Sequence, residues 1–466
     1  MMETATKSSF QKYPAYKDSG VEWLGEIPEH WDISRLRNIF TFSKGLTITK
    51  ENLQVQGIYC VNYGEIHSKF GFEVKPEIHQ LKCVSDEYLI SNPNSLLRKG
   101  DFIFADTSED IEGSGNFTYL NSNLTTFAGY HTIIARLKIP INERFSAYVI
   151  ASQSFRNQIR SRVKGVKVYS ITQSLLKMVS FWIPDEEEQT AIANFLDNKT
   201  AKIEKAIAQK QKLIALLKER KQILIQDLVT GKKVWNKDKK AWTAPSKTKD
   251  SGVEWIGEIP EHYKVIKLGF KIDILSGYAF PSNGFSSRGI KLLRGINVGV
   301  GCIRWNETVF WPEDKTKGLE AYFLNLGDII VGMDRPFIGN GMRVSVIQEK
   351  DLPCLLLQRV TRLKAKKGLS KDFLALILKS KNFVNYFLPI LSGVSVPHIS
   401  PNQIKDYPIC LPSQAEQEHI LSFTYEQTAK MDQVISLQQT QIEKLKEYKA
   451  TLIDSAVTGK IKVIDV

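Results

Sequence analysis

Chemistry at a catalytic centre needs certain side chains at certain spacings, and few such spacings occur in this chain. Its seven histidines (30, 67, 79, 131, 262, 398 and 419) form no HxxxH or HExxH pair, the spacing that puts two imidazoles on one helical face for a metal. Five cysteines, Cys60, Cys83, Cys302, Cys354 and Cys410, stand singly with no CxxC. That argues against a zinc site or a disulfide framework and fits a reducing compartment. Glu73-Val-Lys75 and Glu313-Asp-Lys315 look like the tail of a nuclease Glu-x-Lys element, but neither has a well-placed strand-borne acid upstream. Glu29-His30 and Glu261-His262 pair an acid with an imidazole. Both lie in a repeated block where Trp23/Trp255 and Ile27/Ile259 read as packing residues and Pro28/Pro260 as chain-turning ones. No GxxxxGK[ST], no GxGxxG opening a helix, and no Asn/Asp-Pro-Pro-aromatic stretch is present. The polar side chains left to do chemistry are those of two loops, 107–115 (TSEDIEGSG) and 333–341 (MDRPFIGNG), each following a Gly-Asp strand.

The elements that must hold these loops come in duplicate. Residues 18–36 (DSGVEWLGEIPEHWDISRL) and 250–268 (DSGVEWIGEIPEHYKVIKL) are identical at 13 of 19 positions. A second pair, 184–232 (PDEEEQ…VTGK) and 412–460 (PSQAEQ…VTGK), aligns without a gap. The chain is therefore A–B–A′–B′ with a variable segment in each half. Each B segment opens on a capping-box pattern, Asp185-x-x-Glu188 and Ser413-x-x-Glu416, and ends at Gly231 or Gly459, placed for a left-handed C′ position. Between these ends Ile203, Ile207, Ile214, Leu217, Leu224 and Leu228 recur at three- and four-residue steps. Met431, Ile435, Ile442, Leu445, Leu452 and Ala456 repeat the phase, with Lys210, Lys221, Gln438 and Lys449 at the interruptions. That is the seam of a coiled coil. Leu213, Leu216, Ile223, Ile225, Leu437 and Ile453 widen the stripe and offer packing to the neighbouring domains or to another protein. The intervening segments alternate short β-rich runs (100–105, 131–137, 327–332, 358–363) with helical patches at 147–162 and 370–388. A duplicated scaffold with two dissimilar loops in equivalent places implies one task performed on two different targets.

Composition bounds the rest. With 42% hydrophobic and 24% charged residues the chain is globular, and its length allows several domains. No run approaches the roughly 18 apolar residues of a membrane span, and the first residues, MMETATKSSFQKYPAY, carry no apolar signal core. The net charge of +13 suggests a polyanionic partner. Residues 232–249 concentrate it, with seven lysines against Asp238.

The repeated GVEW-x-GEIPEHW block, the P-x-x-x-EQ helix ending in VTGK, and the A–B–A′–B′ order together resemble the specificity (S) subunit of type I restriction–modification systems across essentially the whole chain. The stretches 104–137 and 331–363 also resemble two different types of target recognition domain. The resemblance implies an α+β fold: two mixed α/β target recognition domains (1–184 and 250–411) separated by two long antiparallel coiled-coil helices with a pseudo-two-fold repeat. The spacer helices would be 185–231 and, with the tail, 412–466, and 232–249 a basic linker. It implies a cytoplasmic, non-catalytic subunit that reads a bipartite, asymmetric site on double-stranded DNA. Its partners would be two modification (methyltransferase) subunits using S-adenosylmethionine and two restriction (translocase/endonuclease) subunits using ATP and Mg, with no cofactor in this chain and no membrane partner. A stand-alone sequence-specific DNA-binding regulator is the alternative.

On that reading, base contacts need paired donors and acceptors, typically Arg for guanine and Asn or Gln for adenine. In the second half the candidates are Arg335, with Arg294, Arg343, Gln358 and Arg359. In the first, Thr107, Ser108, Glu109 and Asp110 form an acidic, hydroxylic loop able to accept from cytosine amino groups, with Tyr63, Lys69 and His131 as companions. About 30 paired helical residues would separate two readers by about 45 Å, suiting half-sites about one turn of B-DNA apart. Adding four residues in register to one spacer is expected to lengthen the tolerated gap by about one or two base pairs. A survey of methylated sites reads this directly, and an unchanged gap would refute a helical ruler.

Overall fold

Two helices dominate the chain, Glu186–Thr230 and Gln414–Val457, and the first residues of each explain the P-x-x-x-EQ motif. The computed structural model describes residues 11–165, 167–339, 341–391 and 397–463. The signal-peptide reading of the first ten residues, and Asn340 of the second polar loop, lie outside them. At the second helix the expected capping box is complete: Ser413 N donates to Glu416 at 3.1 Å and Glu416 N to Ser413 Oγ at 3.4 Å. At the first it is only half made. Glu188 N donates to Asp185 Oδ1 at 2.8 Å, but the Glu188 carboxylate turns inward to Tyr13, His30 and Trp31 instead of back to its own cap. The glutamine of the motif is buried in both copies. Gln189 accepts from Asn142 N and Gln417 from Ser370 N, both at 2.8 Å, and each donates to the carbonyl of the motif's proline.

The chain divides into two compact units that do not follow the sequence halves: Met1–Lys210 with Gln439–Val466, and Gln211–Gln438. Each unit thus takes the early part of one long helix and the late part of the other, and within each the helices run antiparallel. In the first unit Lys210 donates to Gln441 at 2.5 Å and Lys449 to Glu204 at 2.6 Å; in the second, Lys221 meets Asp432 at 2.6 Å. Three seam interruptions therefore form cross-helix polar contacts, which fix register more than they add stability. Of the seam residues, Ile203, Ile207, Ile214, Ile435, Ile442 and Leu452 are buried, while Leu217, Leu224, Met431 and Leu445 are half-buried. Ile225 and Ile453 are also buried, whereas Leu213, Leu216, Ile223 and Leu437 remain exposed.

Both units carry a mixed α/β segment with one strand order. In the first, Phe40–Lys44 lies at the edge, followed by Thr132–Leu137, Phe102–Ala105, Phe117–Leu120 and Glu73–Val74. In the second the order is Ile272–Ser276, Val360–Ala365, Ile329–Gly332 and Val344–Val346. A smaller sheet accompanies each, built on a parallel pair: Ile58–Val61 with Thr126–Ala128, and Ile290–Leu293 with Cys354–Leu356. Each helical patch expected as one piece is two helices. Glu143–Ala151 and Gln153–Arg160 break at Ser152, and Lys371–Leu378 and Lys381–Leu391 break at Ser380. In both, the serine hydroxyl donates to the carbonyl three residues back and accepts from the amide of the phenylalanine three residues on. That N-cap lets an apolar run turn without leaving the core. Phe155, Phe373 and Phe383 are fully buried, each contributing about 2 kcal/mol of apolar burial.

The repeated blocks meet across the halves. In the first unit Gly459 lies against Pro28 and Trp31 of the first EIPEHW, and Tyr16 donates to Gly459 O at 3.0 Å. In the second, Gly231 lies against Pro260 and Tyr263. Ile27 and Ile259 are buried as expected of packing residues, but Trp23 is 44% exposed, and Trp255, 37% exposed, stacks on Tyr407. Residues 232–249 are more than a solvated connection. Val234–Asn236 pairs with Ala241–Thr243, and Trp242 stacks on Phe423 with centroids 4.9 Å apart.

Candidate nucleic-acid interface

Both polar loops leave the sheet from the same backbone register. In the first unit Ala105 pairs with Thr132, and Asp106 N donates to His131 O at 3.0 Å. In the second Gly332 pairs with Val360, and Met333 N donates to Arg359 O at 3.0 Å. A second chain segment then covers each loop: Thr107–Ser108 pairs with Tyr169–Ser170, while Asp334 bridges to His398 and Arg335 N donates to Pro397 O at 2.8 Å.

In the first unit, Tyr63 and His131 come together with ring centroids 5.2 Å apart, and Tyr130 lies 5.5 Å from Tyr63. His131 Nδ1 lies 3.1 Å from Asp106 Oδ1. His67, absent from the sequence candidates, braces the loop: its Nε2 meets Thr107 O at 2.8 Å and its Nδ1 meets Asn116 at 2.8 Å. Asn116 in turn accepts from Arg156, whose guanidinium is pushed down to about 10 by burial and then by Arg160. Arg156 and Arg160 both donate to Glu112 O, anchoring the loop from below. Ser108 is buried and donates to Asp110 O at 2.7 Å, while Asp110 Oδ1 accepts from Gly113 N at 2.6 Å. These two side chains build the loop. Glu109 and Lys69 are exposed, and their side chains make no hydrogen bond or ion pair among the described residues.

The second unit sorts its arginines by what they already hold. Arg343 spends its guanidinium on the carbonyls of Arg335 (2.9 Å), Gly295 (2.7 Å) and Val298 (3.2 Å). Burial, then the like charges of Arg304 and Arg335, hold it below its ordinary value. Arg294 donates to Glu307 O at 2.5 Å. Arg335 and Gln358 are exposed, and the Arg335 side chain forms no polar contact among the described residues. Arg359 donates through Nη1 to Asp334 at 2.7 Å, and His398 meets the same carboxylate at 2.6 Å. Burial alone would raise the Asp334 carboxyl; the Arg359 and His398 contacts outweigh it and hold it below the usual range. Asp106, Asp334 and His398 were not among the sequence candidates. The signal that could have found them is the register shared by the two loops, which dissimilar residues conceal.

Arg343→Ala is expected to act through the fold. It leaves three carbonyls short of a donor and should destabilise the second unit by about 2–3 kcal/mol in urea unfolding.

The one triplet of close metal-type ligands among the described residues is His30, Asp185 and Glu188. Glu188 there already accepts from Trp31 Nε1 at 2.9 Å and from the Tyr13 hydroxyl, which makes the group a hydrogen-bonded clamp. No helix among the described residues is long and apolar enough to cross a membrane.

The model of the family described as type I restriction modification DNA specificity domain matches residues 28–213 and 295–447. The MjaVIII type I restriction enzyme specificity subunit of Methanocaldococcus jannaschii is 29% identical over 445 residues, covering 94% of each chain. The EcoAI specificity subunit of Escherichia coli is 39% identical over 179 residues, 38% of this chain and 29% of that protein. Among solved structures, a chain from work on complex assembly and conformational transition of the type I R-M system superposes with a TM-score of 0.65. The match covers 92% of this chain and 98% of that one at 16% identity, a likeness of fold.

Proposed function

The chain belongs to the family of type I restriction–modification specificity subunits, and from that membership we propose that its two units each read one half of a bipartite, asymmetric site on double-stranded DNA. One observation carries this reading. Two loops of different chemistry leave one backbone register, so the scaffold presents His131 with the exposed Glu109 in one unit and Arg359 with Arg335 in the other. Different donors at matched places select different bases, so the combined site has no palindrome. Lys69, and the exposed lysines of 237–249, suit phosphates, where they would add affinity and salt dependence without sequence preference.

The reading assigns no reaction to this chain. Two modification subunits would bring S-adenosylmethionine and two restriction subunits ATP and Mg, all in the cytoplasm. The exposed apolar side chains of the long helices in the second unit, Leu213, Leu216, Ile223 and Leu437, suit the docking of such partners. Sequencing the methylome of the host with and without this gene tests the proposal. Loss of methylation at one discontinuous, asymmetric motif is expected; an unchanged methylome refutes it. Tight sequence-specific binding by the chain alone, with no methylation lost, would instead make it a stand-alone regulator.

A further inference from the structure

Four non-glycine residues adopt positive φ among the described residues: His131 (54°), Lys240 (47°), Arg335 (43°) and Arg359 (65°). Lys240 sits in the turn between the paired strands Val234–Asn236 and Ala241–Thr243. The other three cluster at the two polar loops. A left-handed backbone is costly for a residue with a side chain, so such residues persist where the surroundings hold them there. His131 and Arg359 are one position: each is the last residue before the second strand of its main sheet, and each carbonyl accepts from the first amide beyond the strand paired with it. Each carries a nitrogen-rich side chain held by an aspartate from the loop facing it, Asp106 or Asp334. The residues differ while the device is the same.

We propose that this duplicated position is a base-reading position in each unit, and that Arg359, oriented by Asp334, reads a guanine in the half-site of the second unit. This rests on the proposed DNA-reading function and names the chemistry of one contact within it. One Nη1 hydrogen of Arg359 goes to Asp334; its other guanidinium hydrogens have no partner among the described residues, and the side chain is 66% exposed. A guanidinium fixed on one side by a carboxylate keeps a planar pair of donors for O6 and N7, which guanine alone presents side by side in the major groove. Arg343 lacks that freedom because its donors go to three backbone carbonyls, and Arg294 holds Glu307 O through Nη2 and is only 27% exposed. At the matching place His131 turns Nδ1 to Asp106, leaving only Nε2 for a base. One ring nitrogen makes a single contact, so the first unit discriminates less at this position.

The test uses the assembled modification complex carrying wild type, Arg359→Gln, Arg359→Ala, Asp334→Asn or His131→Ala, with methylated motifs read by genome-wide sequencing. The expected result is a single guanine position, in one half-site only, that becomes degenerate in Arg359→Ala and shifts toward adenine in Arg359→Gln. Asp334→Asn relaxes the same position more weakly, and His131→Ala alters a position in the other half-site. Duplexes with 7-deazaguanine at each guanine in turn should weaken wild-type binding roughly tenfold to a hundredfold at that position and leave Arg359→Ala indifferent to it. An unchanged motif in both Arg359 variants, or an equal loss at every position, overturns the assignment. If a variant fails to assemble, the wild-type complex decides: a half-site without a 7-deazaguanine-sensitive position also overturns it. A wild-type complex that methylates no discontinuous motif refutes the function itself, and so differs from either outcome.

Discussion

Glu188→Ala lowers the stability of the first unit by about 3–5 kcal/mol, with little effect on the second. The Glu188 side chain is 1% exposed and accepts from the Tyr13 hydroxyl, Trp31 Nε1 and His30 Nε2. Tyr13 and Trp31 are themselves buried, so truncation strands two donors away from water, each costing about 1–3 kcal/mol, and loses the bond from His30 besides. The matching change, Glu416→Ala, costs about 1 kcal/mol. There the tryptophan is Tyr263, the glutamate is 33% exposed, and its cross-block contact is with His262, itself 60% exposed. Hydrogen exchange of the full chain in urea follows the two units separately and reads the difference. Equal losses in both units would show that the inward turn of Glu188 contributes nothing.

Gly459→Val costs the first unit at least about 3 kcal/mol. Gly459 has φ +70°, where a β-branched residue is strained, and an added Cβ would fall 2.3 Å from Pro28 Cδ and 3.3 Å from the Trp31 ring. Gly231→Val repeats the effect in the second unit, with Cβ 2.5 Å from Pro260 Cδ. Gly20→Ala separates the two causes, since Gly20 has φ +64° with nothing within 4 Å of an added Cβ. It should cost only the backbone term, about 1 kcal/mol. Thermal or urea melts of the three variants check the order, and a Gly459→Val melt equal to that of Gly20→Ala would refute the packing argument.

Much of this architecture was legible in the sequence because its signals are local or repeated. The two long helices announce themselves by a three-four apolar period, and the EIPEH and VTGK blocks by appearing twice. What escaped were features made by backbone geometry. Ser152 and Ser380 divide apolar runs that read as single helices, because a capping hydroxyl looks like any other serine until its partners are known. Trp23 reads as a packing residue by type, yet the turn that carries it leaves it 44% exposed. Arg343 and Arg359 are indistinguishable as letters; carbonyls consume one guanidinium and a carboxylate poises the other. The kinship of His131 with Arg359 is likewise invisible in residue types and plain only in strand register.

The crossing of the repeated blocks bears on how the chain came to be divisible. Lys462 N donates to Gln11 O at 2.7 Å, so the described ends of the chain close on each other within the first unit. Each VTGK end finds its EIPEH partner in the opposite half. A single half standing alone would therefore carry an unmatched VTGK and an unmatched EIPEH, and a second copy would supply both. The duplicated chain is in this sense a homodimer written as one polypeptide. Joining the copies removes the obligation to be identical: loop 107–115 and loop 333–341 are free to diverge, which a symmetric pair could not allow. Order along the chain then becomes a matter of where the ring is cut, and a permuted chain joined between 463 and 11 and reopened in the turn 237–240 would keep the contacts among the described residues.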